Sequence, residues 1–199
     1  MKVKICGITS EKDARLACRL GVDAIGLNFY ERSPRFVGLR QARRIARAVT
    51  PLTWVVGVFV DAPLERIERT VREVGLHAVQ LHGNEPEALV AALRVPVLAV
   101  THVGAGPLRL SRRAPLVLLD AAQPGYGGGG VTFEWKRART VARRRPIFLA
   151  GGLTADNVGA AIATVRPFGV DVASGVERQP GVKDPHKLAA FVAAARRAA

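Results

Sequence analysis

The chain has 199 residues, 49% of them apolar, which is enough for one domain with a sizeable core. No apolar run approaches the ~20 residues that cross a bilayer, no apolar signal core follows the first residues, and two cysteines, Cys6 and Cys18, make no disulfide framework. The expectation is a cytoplasmic protein with no membrane partner. A net charge of +14 raises nucleic-acid binding, but arginines such as Arg40, Arg43, Arg44 and Arg47 fall on predicted outer helix faces, without aromatic residues for stacking. A field that draws in a small anion is expected instead, with no nucleic-acid partner.

In chain order, residues 3–5 predict a first strand, and Ser10 with Asp13 resembles a capping box opening a helix. Residues 24–29 predict the second strand, followed by a helical stripe of Leu39, Ala42, Ile45, Ala46 and Val49. After a third strand at 54–60, Asp61-Ala62-Pro63 predicts a cap, with Asp61 as the capping side chain, for a helix carrying Leu64, Ile67, Val71 and Val74. A fourth strand at 78–81 leads to another helix start at Asn84-Glu85-Pro86. The fifth strand, 97–100, is followed only by a weak helical signal within 107–113. The sixth, 116–119, precedes a glycine-rich stretch at 124–130 that suits a lid or hinge. Strands at 147–150 and 170–173 complete the series, with helix starts at Thr154-Ala155-Asp156-Asn157 and Asp184-Pro185.

These strands are apolar on both faces, as a covered parallel sheet requires. Their spacing of about 24 residues is close to the βα unit of a compact eight-fold barrel. No dinucleotide-binding glycine fingerprint follows the first strand. The expected fold is α/β, a (β/α)8 TIM barrel occupying 1–199 as a single domain.

Chemistry in such a barrel sits at the carboxyl ends of the strands. Cys6 ends the first strand; it is either a small buried hydrophobe or a nucleophile or base whose thiol is lowered by nearby cations or a helix terminus. Cys18 reads as core. Asp120 follows five residues of apolar strand, where a carboxylate is costly to bury without a purpose, and a partly desolvated one suits a general acid. Gly151-Gly152 and Ser174-Gly175 follow strands seven and eight, where backbone N–H groups can approach a phosphate. Arg35, beside Pro34, has the fork to grip a carboxylate. His82 either bonds a ligand or satisfies its own loop. His77, His102 and His186 show no metal-ligand spacing, so no metal and no cofactor is expected.

Taken together, Lys4-Ile5-Cys6-Gly7-Ile8-Thr9, Ser33-Pro34-Arg35-Phe36, Gln80-Leu81-His82-Gly83, Leu118-Leu119-Asp120, Ala150-Gly151-Gly152-Leu153, Asp171-Val172-Ala173-Ser174-Gly175-Val176-Glu177 and Pro180-Gly181-Val182-Lys183-Asp184 resemble the phosphoribosylanthranilate isomerases, in family order and from the first strand to the last helix. The resemblance implies an isomerase of tryptophan biosynthesis, acting on N-(5-phosphoribosyl)anthranilate by an Amadori rearrangement, as a monomer or homodimer. It implies Asp120 as general acid, Cys6 as general base, Arg35 on the anthranilate carboxylate, and the two glycine turns with Ser174 on the phosphate. A thiamine-phosphate-synthase-like or pentose-phosphate-epimerase-like barrel is the alternative, but neither a diphosphate/Mg²⁺ constellation nor convergent metal ligands are visible. The chain departs from the family at Gly129, where a threonine is usual, at Glu134 for Asp, and at Asn28, where many relatives are apolar.

Overall fold

A computed structural model describes residues 1–104, 106–121 and 135–198; the glycine-rich 124–130 stretch, with Gly129, and Glu134 lie outside the described residues. Strands and helices alternate: β1 (Lys2–Ile5), α1 (Glu11–Arg19), β2 (Ala24–Asn28), α2 (Leu39–Arg47), β3 (Trp54–Phe59), α3 (Leu64–Val74), β4 (Ala78–Leu81) and α4 (Glu87–Ala92). There follow β5 (Val97–Val103), β6 (Leu116–Ala121), α5 (Trp135–Ala142), β7 (Ile147–Leu149), α6 (Val158–Val165) and β8 (Gly169–Val172), then a short hairpin, β9 (Glu177–Gln179) and β10 (Val182–Lys183), and α7 (Pro185–Arg197). β1 to β8 pair in sequence order into a closed barrel, all parallel, with β1 joined to β8 from Lys2↔Gly169 to Ile5↔Val172.

Side chains alternate across each strand, and the two sets do different work. One set, including Val3, Ile5, Ile25, Leu27, Val79, Val117, Leu119, Val170 and Val172, packs in one continuous core with Ala14, Ala42, Ile45, Ile67, Leu188 and Phe191 from the helices. Apolar residues of the other set form two small separate clusters, Leu98/Leu118/Phe148/Ala150 and Ala24/Val56/Ala78, which plug the barrel interior. Lys4, Gln80, Asp120 and Asp171 belong to that inner alternation, and all four are buried.

The helix starts follow the sequence in part. Ser10 Oγ accepts from Asp13 N–H, and Asp184 Oδ1 from the N–H groups of His186 and Lys187. Asp61 does not cap α3, however. It sits in the left-handed region (φ 47°), and its carboxylate accepts instead from Asn84 N–H, while Glu85 accepts from the N–H groups of Asp61 and Gly83. The acids expected to start α3 and α4 thus brace the loops after β3 and β4 against each other, and both helices begin after prolines with no side-chain cap. Among the described residues no helix forms between β5 and β6; Glu87 gathers the N–H groups of Arg112 and Arg113, and Thr101 Oγ1 bonds Arg109 O. β5 runs three residues past the expected 97–100 because Thr101, His102 and Val103 keep pairing with Leu119, Asp120 and Ala121.

Candidate active site

One cavity opens at the carboxyl ends of the strands and is lined by Cys6, Arg35, His82, Asp120, Gly151, Gly152, Ser174 and Gly175, every residue singled out in the sequence for catalysis or binding. Two further strands, β7 and β8, lie between Cys6 on the β1 side and Asp120 on β6, so acid and base candidates address the cavity from different walls.

Cys6 is held by its backbone: its N–H donates to Val172 O at 2.8 Å, extending the β1–β8 ladder by one residue, and its carbonyl accepts from Lys183 Nζ at 2.6 Å. Beneath it lies Lys4, 1% exposed, paired with Asp171 at 2.9 Å and also reaching the Cys6 sulfur. A buried lysine would ordinarily lose its proton more easily; Asp171 and Cys6 reverse that and raise it. For Cys6 the balance falls the other way from expectation. Burial pushes the thiol up, and the cations Lys4 and Lys183 pull it down without winning, so the resting residue is a thiol above its ordinary 9.0. Cys18, on α1, is half-buried and away from the cavity.

Asp120 is buried on β6 directly opposite His102 of β5. His82, at the end of β4, points Nε2 to within 3.7 Å of Asp120 Oδ2, and its Nδ1 lies 3.0 Å from the Gln80 carboxamide. Burial, then His102 and the Lys4 cation, push the His82 imidazole down to about 3, so it is neutral at physiological pH. His102, which carries no metal-ligand spacing in the sequence, comes within ring contact of His82 at 5.3 Å between centroids.

Arg35 is delivered by a built loop. Asn28 Nδ2 donates to Ser33 Oγ, Asn28 Oδ1 accepts from Tyr30 N–H, and Ser33 Oγ accepts from Arg35 N–H. Asn28, without a role in the sequence reading, is therefore the brace of this loop. The Arg35 guanidinium donates through Nε and Nη2 to both oxygens of Glu177, at 2.9 and 2.7 Å. Glu177 in turn pairs with Lys183 at 2.9 Å, and Arg35 and Lys183 hold its carboxyl below its ordinary range although burial alone would raise it. Glu177 engages one edge of the Arg35 fork, through Nε and Nη2.

The two turns expected for phosphate lie side by side. Gly151 and Gly152 both have positive φ (84° and 63°), and Asn157 clamps their turn, donating to Gly152 O and accepting from Thr154 N–H. A Cβ on Gly175 would lie 1.9 Å from Leu153 O, so only glycine lets the β8 turn approach the β7 turn this closely. Ser174 opens a single 3-10 turn there.

Sequence reasoning alone passed over Lys4, Asp171, Glu177 and Lys183 as individual working residues. A signal was available in Lys4 and Asp171, charges set among apolar neighbours in strands otherwise buried on both faces. A family model described as N-(5'phosphoribosyl)anthranilate (PRA) isomerase matches residues 3–194. The N-(5'-phosphoribosyl)anthranilate isomerase of Myxococcus xanthus is 47% identical over 205 residues, covering 98% of this chain and 96% of its own. The crystal structure of phosphoribosyl anthranilate isomerase from Thermus thermophilus is similar with a TM-score of 0.91 at 38% identity, over 99% of each chain. Another crystal structure of a phosphoribosyl anthranilate isomerase, in complex with reduced 1-(o-carboxyphenylamino)-1-deoxyribulose 5-phosphate, has a TM-score of 0.86 at 38% identity, again over 99% of each chain. With its barrel and its sequence in agreement, the chain belongs to the phosphoribosylanthranilate isomerase family.

Proposed function

We propose that this chain converts N-(5-phosphoribosyl)anthranilate into 1-(2-carboxyphenylamino)-1-deoxyribulose 5-phosphate in tryptophan biosynthesis, with Asp120 as acid and Cys6 as base, acting as one catalytic domain over residues 1–199. The observation that carries this reading is the convergence of Cys6, Asp120, Arg35 and the two glycine turns on one cavity in a member of this family. Asp120 gives its proton to the ring oxygen as the C1–O bond breaks, leaving an iminium between C1 and the anthranilate nitrogen. Cys6, as thiolate, takes the C2 proton, and the electron pair flows to the iminium to give an enolamine. The enolamine's C2 hydroxyl proton is then lost and C1 gains one, which yields the ketose. Buried walls around acid and base keep bulk water from shuttling these protons.

Arg35 anchors the anthranilate carboxylate through its second edge, and the Gly151-Gly152 and Ser174-Gly175 turns hold the phosphate. His82, neutral, bonds the substrate near Asp120. The partner is then a small phosphorylated molecule and not a nucleic acid, and since phosphorylated sugars do not cross membranes unaided, the reaction is placed in the cytoplasm. Among the described residues no helix is long and apolar enough to cross a membrane. Expression in a tryptophan auxotroph lacking this isomerase tests the function: growth without tryptophan is expected. Failure to grow with folded protein present would overturn it.

A further inference from the structure

We propose that His82, His102 and Asp120 form a binding site for one divalent transition-metal ion of the zinc class, and that an ion held there shuts the isomerase off. The first clause stands on the geometry alone; the second rests on Asp120 acting as the general acid.

The three residues come from consecutive strands, the end of β4, then β5, then β6, and each offers one ligand atom within 4.8 Å of the others. His82 Nε2 is buried with no hydrogen-bond partner, which marks a polar atom aimed at something the protein does not supply. Its 3.7 Å separation from Asp120 Oδ2 is too long for a hydrogen bond. It is close to the roughly 3.4 Å edge of a tetrahedron whose ligands sit ~2.1 Å from a central ion. Small side-chain shifts would bring the set to that geometry: His102 is the most exposed of the three, and its hydrogen bond to the His82 main chain keeps the two imidazoles side by side.

The donor set selects the ion. Two imidazoles and one carboxylate suit zinc, cobalt or nickel, whereas magnesium and calcium call for an all-oxygen shell. Three protein ligands leave a fourth position open, and two of the three, His82 and Asp120, line the cavity. An outer brace is available: Gln80 Nε2 lies 3.0 Å from His82 Nδ1 while Gln80 Oε1 is buried without a partner, and turning the carboxamide over sets that oxygen to accept from Nδ1–H, leaving the lone pair on His82 Nε2. A metal-bound carboxylate is deprotonated and stays so, which leaves Asp120 with no proton to give, so the bound ion and the acid step exclude each other.

The test uses chelator-treated full-length protein titrated with Co²⁺ and, for inhibition, Zn²⁺. Expected are visible cobalt d–d bands saturating at one equivalent, no sulfur-to-cobalt charge-transfer band, and Zn²⁺ inhibition over the same occupancy. His102→Ala, with His102→Gln as a second variant, is expected to weaken cobalt binding and zinc inhibition at least about tenfold while metal-free turnover stays unchanged. Wild-type uptake by these folded variants, a sulfur charge-transfer band that places the ion on Cys6, or no uptake at all would overturn the site. One-equivalent binding with undiminished turnover would overturn the shut-off alone. Absence of turnover in metal-free wild type would fall on the isomerase reading, and the cobalt spectrum would still decide the site.

Discussion

As the proposed base, Cys6 has to lose its proton before each cycle. Burial outweighs Lys4 and Lys183, so the thiol ionises above its ordinary 9.0, and the reactive thiolate grows as pH rises towards that value. kcat/KM is therefore expected to climb from neutral pH into the alkaline range, and the limb should vanish in Cys6→Ser. A flat profile between neutral and mildly alkaline pH would show the thiol already ionised and would contradict the burial balance. In the proposed reaction Arg35 serves binding. Its removal leaves Glu177 still paired with Lys183, so the fold should persist. Losing a charge-assisted bond worth ~1.5–3 kcal/mol should raise KM by about 10- to 100-fold with kcat little changed, a split that steady-state kinetics reads directly.

The β9–β10 hairpin straps the site from outside the barrel. It returns Glu177 to Arg35 and Lys183 to the carbonyls of Cys6 and Ala173, tying Arg35 and, through Lys183, Cys6 to one carboxylate. Because the folded state holds Glu177 below its ordinary 4.5, this carboxylate stabilises the protein above that pH, and the stabilisation drains away as pH falls through the lowered value. Glu177→Gln should accordingly lower the melting temperature at neutral pH, and the gap to wild type should close in acid; a gap independent of pH would refute the strap. How much of this could be read beforehand differs by element. The eight strands were legible because each is an apolar run of the right length, and Asp120 because it breaks such a run. The hairpin was not: Glu177, Arg178 and Gln179 carry no apolar period, and their partners lie far off in sequence, Arg35 by 142 residues. Asp61 before Pro63 looked like a cap, but a contact with the next βα loop outbid the local one. His102 gave no warning, since only the strand register sets it beside Asp120.

For the molecule as a whole, a net charge of +14 goes with a proposed substrate that bears a phosphate and a carboxylate. Long-range attraction of this kind speeds encounter and is screened over ~10 Å at 0.1 M salt. Adding sodium chloride should depress kcat/KM while kcat holds, and an unchanged kcat/KM would show that the arginines steer nothing. The barrel presents Cys6 and Asp120, the proposed base and acid, from separate strands across one mouth. The most direct test of that pairing is turnover of purified Cys6→Ala and Asp120→Asn beside wild type, on N-(5-phosphoribosyl)anthranilate. Loss of an acid or base should cost each variant roughly 10²–10⁴-fold in kcat, with the fold and substrate affinity retained. Wild-type turnover in either folded variant would contradict the assignment.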